Sequence, residues 1–170
     1  MDPKLFKQAV GSFASGVTVI TTRGADGGDH GMTASAFSSL SLDPPLVLVC
    51  VQEKNQTHEL LKAAGSFAVN ILARDQEERS NRFAGGLVGE DGRWQPWPIE
   101  RDKFADLEFR RGDACGGSAL ISGCVAQLEC SVEALLPGGD HGIFVGRVEA
   151  VHVAGGDPLL YAKGHYGGLE

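Results

Sequence analysis

Gly31-Met32-Thr33-Ala34-Ser35-Ala36-Phe37-Ser38-Ser39-Leu40-Ser41 runs without a charge into Asp43-Pro44-Pro45 and then Leu46-Val47-Leu48-Val49-Cys50-Val51. Small and hydroxyl-bearing residues dominate the first part, so His30–Ser41 reads as one extended stretch. Two successive prolines remove two backbone donors and break the pattern. Leu46–Val51 is an unbroken apolar run of strand length and reads as a buried strand. Working backwards, Val17-Thr18-Val19-Ile20-Thr21-Thr22 is rich in β-branched residues and predicts a strand, joined to the first stretch through a turn at Gly24–Gly28. Earlier still, Asp2-Pro3 offers a capping oxygen and a proline for a first helical turn. Leu5, Phe6, Ala9, Val10 and Phe13 then recur at helical spacing, and Gly16 is expected to close that element.

Working forwards, Thr57–Ala64 predicts a short helix stopped by Gly65. Phe67–Leu72 predicts a strand, and Asp75–Phe83 a second helix with Asp75 near its start. From Ala84 to Gly117 the periodicity dissolves among glycines, charges, Trp94, Pro96, Trp97 and Pro98. Long irregular stretches inside a domain usually carry function or motion. Alternation returns over Ala119–Val132, a turn follows at Pro137–Gly142, then a strand at Ile143–Val153, and the chain closes on Gly164-His165-Tyr166. Strands and short helices do not alternate regularly. The expected fold is therefore mainly β with short α-helices, an antiparallel barrel with helices at its ends, formed by residues 1–170 as a single domain.

Composition narrows the functions available. The chain has 170 residues, 42% hydrophobic and 22% charged, with 24 glycines and a net charge of −7. No cationic stripe suits nucleic acid, and no apolar run approaches a membrane span. No secretory leader is readable at Met1-Asp2-Pro3-Lys4. Cys50, Cys115, Cys124 and Cys130 form no Cys-x-x-Cys pair, so free thiols and the cytoplasm are expected. No metal motif is present: Thr57-His58-Glu59-Leu60 lacks the second histidine of a zinc helix. The glycines of Gly85–Gly92 have the wrong spacing and the wrong neighbours for a Rossmann turn. Neither a P-loop nor a nucleophile elbow occurs.

Four stretches taken together resemble the flavin reductase-like domain of two-component aromatic monooxygenase systems. They are Phe13–Thr21, Gly31–Ser41 with Asp43–Cys50, Phe67–Leu72, and Gly139-Asp140-His141 followed by Phe144-Val145-Gly146. Their order matches that family from near Leu5 to Tyr166. The resemblance implies the FMN-binding split barrel, a homodimer with flavin near the subunit interface, and an NAD(P)H:flavin oxidoreductase. Such an enzyme moves a hydride from NADH to FAD or FMN and supplies reduced flavin to a partner oxygenase. Two other readings remain open: an electron carrier that keeps its flavin, and a flavin-binding barrel without reductase activity. No basic cluster is seen for a 2′-phosphate, which favours NADH over NADPH.

The resemblance also assigns residues. Thr33, Ala34 and Ser35 would meet the flavin ring, and their small size suits close approach of backbone amides to its pyrimidine edge. Cys50, Val51, Lys54, Asn55 and Thr57 would contact the ribityl chain and phosphate, where a helix N-terminus offers amides. Phe83 would lie against the flavin, with Arg82 beside a phosphate. His141 would position the nicotinamide, with Tyr166 closing the same pocket. Hydride passes directly between the two rings, so no catalytic acid or base is expected.

Overall fold

The computed structural model describes residues 1–169. Its main element is a seven-stranded antiparallel sheet. The strands are β1 (Thr18–Arg23), β2 (Asp29–Ala34), β3 (Phe37–Leu42), β4 (Pro45–Gln52), β5 (Ser66–Ile71), β6 (Ala126–Gly138) and β7 (His141–Val153). Three short helices accompany them: α1 (Pro3–Gly11), α2 (Gln56–Ala64) and α3 (Glu77–Phe83).

The sheet order is β2-β1-β5-β6-β7-β4-β3. Its two edge strands, β2 and β3, are neighbours in the chain, separated only by Ser35 and Ala36. A sheet whose opposite edges are joined by so short a link has to curl round on itself, which gives the expected barrel. Yet no ladder connects β2 to β3 or to β4. The barrel is therefore closed by covalent chain and left unlaced along one seam.

Apolar side chains fill both faces of the curled sheet. Inside, Ile20, Val47, Val49, Val51, Phe67, Val69 and Phe144 meet Leu61 from α2, which plugs the barrel. Phe67 crosses the interior to β7, where a Cβ at Gly146 would stand 2.5 Å from its ring. Outside, Val17 and Val19 pack with Leu72, Phe83, Phe104, Ile121 and Leu159. The β1 strand lies between the two clusters, which is why Val17–Thr22 shows no polar alternation. Each fully buried aliphatic or aromatic side chain contributes roughly 1.5–3 kcal/mol.

Polar groups fix the outer layer to the sheet. Asn70 on β5 is fully buried. Its Nδ2 donates to Val19 O (3.1 Å), while its Oδ1 accepts from Ile121 N (2.8 Å). Glu129 on β6, also buried, accepts from Ala114 N at 2.7 Å and pairs with His152 Nε2 at 2.9 Å. Burial opposes ionisation of Glu129, but those bonds together hold its pKa below the usual carboxylate value.

Several expected boundaries move. The first helix ends at Gly11 rather than Gly16, and Ser15–Gly16 instead pairs with Leu160–Tyr161. The stretch His30–Ser41 is two strands, because Ser35-Ala36 turns the chain from one edge of the sheet to the other. Ala119–Val132 also divides: Ala119–Ile121 pairs with Phe109–Arg111, and β6 starts at Ala126 after a turn at Gly123. Asp75 does not cap α3. Gln76 holds that position, and its side chain instead bonds Ala73 N and Ser122 O. The turn expected over Pro137–Gly142 shortens to Gly139-Asp140, since Gly138 already pairs with His141 and Gly139 supplies the positive φ. All four cysteines are free. No helix among the described residues is long and apolar enough to cross a membrane.

Candidate functional site

The seam begins at Thr33-Ala34-Ser35. An edge strand presents a row of main-chain N–H and C=O groups without strand partners. The β2 edge that faces away from β1 is such a row. Across the seam, β3 pairs with β4 only as far as Val49, and Cys50 N donates to Ala36 O at 3.0 Å. Beyond that bond, Val51 and Gln52 keep one strand edge free. The side chains of Ala34 and Val51 belong to the barrel core. Thr33 Oγ1 donates to Ser80 O at 2.6 Å. Cys50 is half-buried, and Ser35 is exposed between two small cavities.

At its other end the seam opens into a cavity of about 560 Å³. Gly31 and Met32 of β2 form one side, Asn55, Gln56 and Thr57 of α2 the second, and Trp97–Phe104 the third. Phe83 forms part of the floor, so close to β2 that a Cβ at Gly31 would come within 2.8 Å of its ring. Asn55 touches both sides, with Nδ2 4.0 Å from Met32 Sδ. The start of α2 offers fewer donors than a bare helix end. Asn55 Oδ1 caps Thr57 N at 3.0 Å, and Asn55 O takes His58 N at 2.9 Å. Thr57 is buried there, and Lys54 is exposed nearby.

The remaining candidates separate. Phe83 is buried at the cavity floor, edge-on to Phe104 at 5.1 Å. The Arg82 guanidinium is taken up inside the chain: Nε donates to Glu78 at 2.8 Å, Nη1 to Ala105 O at 3.0 Å, and its carbon lies 4.8 Å from the centre of Trp97. It clamps the 97–105 segment. Tyr166 Oη bonds Ser80 Oγ (2.9 Å) and Asn81 Oδ1 (3.0 Å) and lines a small cavity with Thr33 and Ser35. His141 opens β7 opposite Gln52 and lines neither that cavity nor the large one. Its Nδ1 is 2.7 Å from Asp140 Oδ1, a bond that holds the Asp140 carboxyl below its ordinary pKa. Asp140 O in turn accepts from Glu53 N, which ties the hairpin to the approach of α2. His141 therefore joins the Cys50–Lys54 side of the site, while Tyr166 belongs to the Thr33 side.

The domain is a curled antiparallel barrel whose unlaced seam leads towards a cavity lined by both cations and carboxylates. The family model for the flavin reductase like domain matches residues 10–170. The chain is 40% identical, over 97% of its length, to a probable flavin reductase of Rhizobium meliloti, and spans 48% of that longer protein. It is 35% identical to the reductase subunit HsaB of a flavin-dependent monooxygenase of Rhodococcus jostii, covering all of this chain and 80% of the relative. Among solved structures, Streptomyces globisporus C-1027 NADH:FAD oxidoreductase SgcE6, in complex with NAD and FAD fragments, superposes with a TM-score of 0.85 at 34% identity, over 100% of this chain and 96% of that one. The chain belongs to the flavin reductase-like family.

Sequence reasoning missed the third wall of the cavity. Trp97, Arg101 and Lys103 lie in the stretch without periodicity, and no motif or spacing marks them. The one available signal was compositional, a tryptophan set among prolines and charges in a glycine-rich excursion.

Proposed function

We propose that this chain is a single-domain, cytoplasmic NADH-dependent flavin reductase that works as a homodimer and passes reduced FAD or FMN to a partner monooxygenase. The observation that carries this reading is the seam itself, whose free main-chain edges run from Thr33–Ser35 straight into the cavity beside Asn55 and Thr57. Both features fit the flavin's shape: hydrogen-bonding edges for a flat ring, then polar side chains for its phosphate. Four unpaired thiols suit a reducing compartment. The subunit contact is supported by the uncovered apolar face of α1 (Leu5, Phe6, Val10) and by exposed Leu136 on the β6–β7 hairpin.

When bound, the flavin accepts a hydride directly from the nicotinamide. The protein's contribution is binding, orientation and exclusion of water. Backbone of β2 and β4 would fix the ring plane, with Cys50 and Lys54 along its tail. His141, its Nδ1 engaged by Asp140, leaves Nε2 to orient the nicotinamide carboxamide. Tyr166 closes the side walled by Thr33. Because no proton transfer accompanies the hydride step, none of these groups has to change its charge.

The test is NADH oxidation by the purified chain with and without added flavin. Turnover that requires free FAD or FMN is expected. A protein that stays yellow and releases no flavin would replace the reading with that of an electron carrier, and no NADH oxidation under any flavin would end it. Within that assay, His141→Ala should raise KM for NADH about tenfold, the scale of one or two lost hydrogen bonds, with flavin affinity retained. Equal loss of both would contradict the role given to His141.

A further inference from the structure

We propose that Ser80 is a positioning residue for hydride transfer: its carbonyl holds Thr33, its hydroxyl holds Tyr166, and one buried residue thereby sets the spacing of two walls of the site. The inference rests on the reductase reading above and on the roles given there to Thr33 and Tyr166. It assigns no ligand contact to Ser80 itself, which acts through its two partners.

Ser80 lies at the middle of α3 and is 0% exposed. Its carbonyl accepts twice, from Ala84 N at 2.9 Å as a helix dictates and from Thr33 Oγ1 at 2.6 Å. A carbonyl oxygen has two lone pairs, so the second bond leaves the helical one intact. The Ser80 Oγ stands 2.9 Å from Tyr166 Oη, and that phenol donates to Asn81 Oδ1 at 3.0 Å. A phenol has one proton, and Tyr166 gives it to Asn81, so Ser80 is the donor in the first of these bonds. Burial raises the Tyr166 pKa and the Ser80 bond opposes that rise, as a donor to the phenolic oxygen should. Among the described residues, Ser80 is the one hydrogen-bonded to both side chains.

The main chain supplies no equivalent link. Thr33 belongs to the seven-stranded sheet, whereas Tyr166 lies in a separate small sheet formed by Ser15–Gly16, Leu160–Ala162 and His165–Gly167. No ladder joins the two sheets. Between them is a cavity of about 170 Å³ whose lining includes Thr33, Ser35, Tyr161 and Tyr166. With its hydroxyl engaged on both sides, Tyr166 offers this cavity its ring, which lies 5.1 Å, centre to centre, from that of Tyr161. Asn81, the second anchor of the phenol, is itself only 8% exposed. A ring pinned by two buried partners keeps its distance from the Thr33 strand. Displacing a reacting group by about 1 Å costs on the order of a hundredfold in rate, so a spacer of this kind acts on the hydride step more than on affinity.

The test measures flavin reduction by stopped flow at saturating NADH in wild type, Ser80→Ala, Tyr166→Phe and the double variant, with calorimetric FMN affinity and a thermal melt of each. Ser80→Ala keeps the carbonyl that holds Thr33, so FMN affinity should stay within about twofold while the reduction rate falls about tenfold, a fraction of the loss from a full misplacement. Tyr166→Phe removes the same bond from its half-buried end and should slow reduction at least as much. Because the two changes delete one interaction, the double variant should fall no more than about twofold below the slower single. Should Ser80→Ala lose its melting transition, Tyr166→Phe still reads the bond. A wild-type rate in either single variant overturns the inference, and so does a double variant whose loss is the product of the two single losses. FMN affinity lost in step with the rate in Ser80→Ala would make Ser80 a general support of the flavin strand and overturn it as well. In each of these cases turnover by wild type leaves the reductase reading standing, whereas a wild type that oxidises no NADH defeats that reading and this inference together.

Discussion

Helices α1 and α2 have the same length, nine residues, and the same start. Asp2 accepts from Lys4 N and Asn55 accepts from Thr57 N, each capping the second helical amide. Both carry apolar residues at helical spacing. Their fates differ. The α2 helix drives Leu61 to 0% exposure in the barrel and stops on Gly65 in the left-handed region. The α1 helix buries no residue: Leu5 is 64% exposed, Phe6 54% and Val10 53%. Capping and periodicity decide that a helix forms; neither decides what covers its apolar stripe. That depends on what the rest of the chain, or a second chain, brings to it.

The sharpest way to break this contrast is truncation on each stripe. Leu61→Ala removes methyl groups from a site with no solvent access and should cost about 3 kcal/mol, within the usual range for such cavities. A urea melt at low protein concentration reads it. In the same melt Phe6→Ala should stay within about 0.5 kcal/mol of wild type, as exposed substitutions do. A comparable loss for both would mean that α1 is held against its own barrel by contacts the structure does not display.

The next effect concerns association. If a second copy covers α1, then Phe6→Ser with Val10→Ser removes two apolar contacts and should raise the dimer dissociation constant at least about tenfold. Sedimentation velocity over a dilution series measures this. A chain that remains monomeric at every concentration as wild type would remove the homodimer from the proposed function and leave the apolar face to some other partner.

The same contrast explains what could be read from the residues. Features set by neighbours along the chain were legible: the Asp2-Pro3 start, the Gly65 stop, the β-branched run that became β1, and the apolar run that became β4. The Ser35-Ala36 crossing was hidden, because its cause is that β2 and β3 lie on opposite edges of one sheet, a fact of topology. Arg82 misled for a related reason. It closes a helix beside a phenylalanine, as a phosphate ligand would, yet Glu78 and the carbonyl of Ala105 claim it. Asn70, the one polar residue of the Phe67–Leu72 run, is a buried joint between the sheet and Ile121 that no local pattern marks. Lys103 gave no local sign, since only the folded excursion brings it opposite α2.

The smallest effect separates the two caps. Asn55→Ala and Asp2→Ala each delete one acceptor for a helical amide, a loss of about 1 kcal/mol where the helix is coupled to the fold. The α2 helix is so coupled, because fraying its first turns loosens Leu61, and the whole loss should appear in the global melt. The α1 helix can fray without exposing core, so Asp2→Ala should register in hydrogen exchange of Lys4–Phe6 and barely in the melt. Asn55→Asp then divides two roles held by one residue. A carboxylate caps as well as an amide and suits the positive end of the helix, so stability should return. The same charge faces the corner assigned to the flavin phosphate, so affinity for FMN and FAD should fall together while riboflavin, which has no phosphate, is spared. Riboflavin weakened as strongly as FMN would show that Asn55 serves the ring and not the phosphate, and would move the phosphate away from α2.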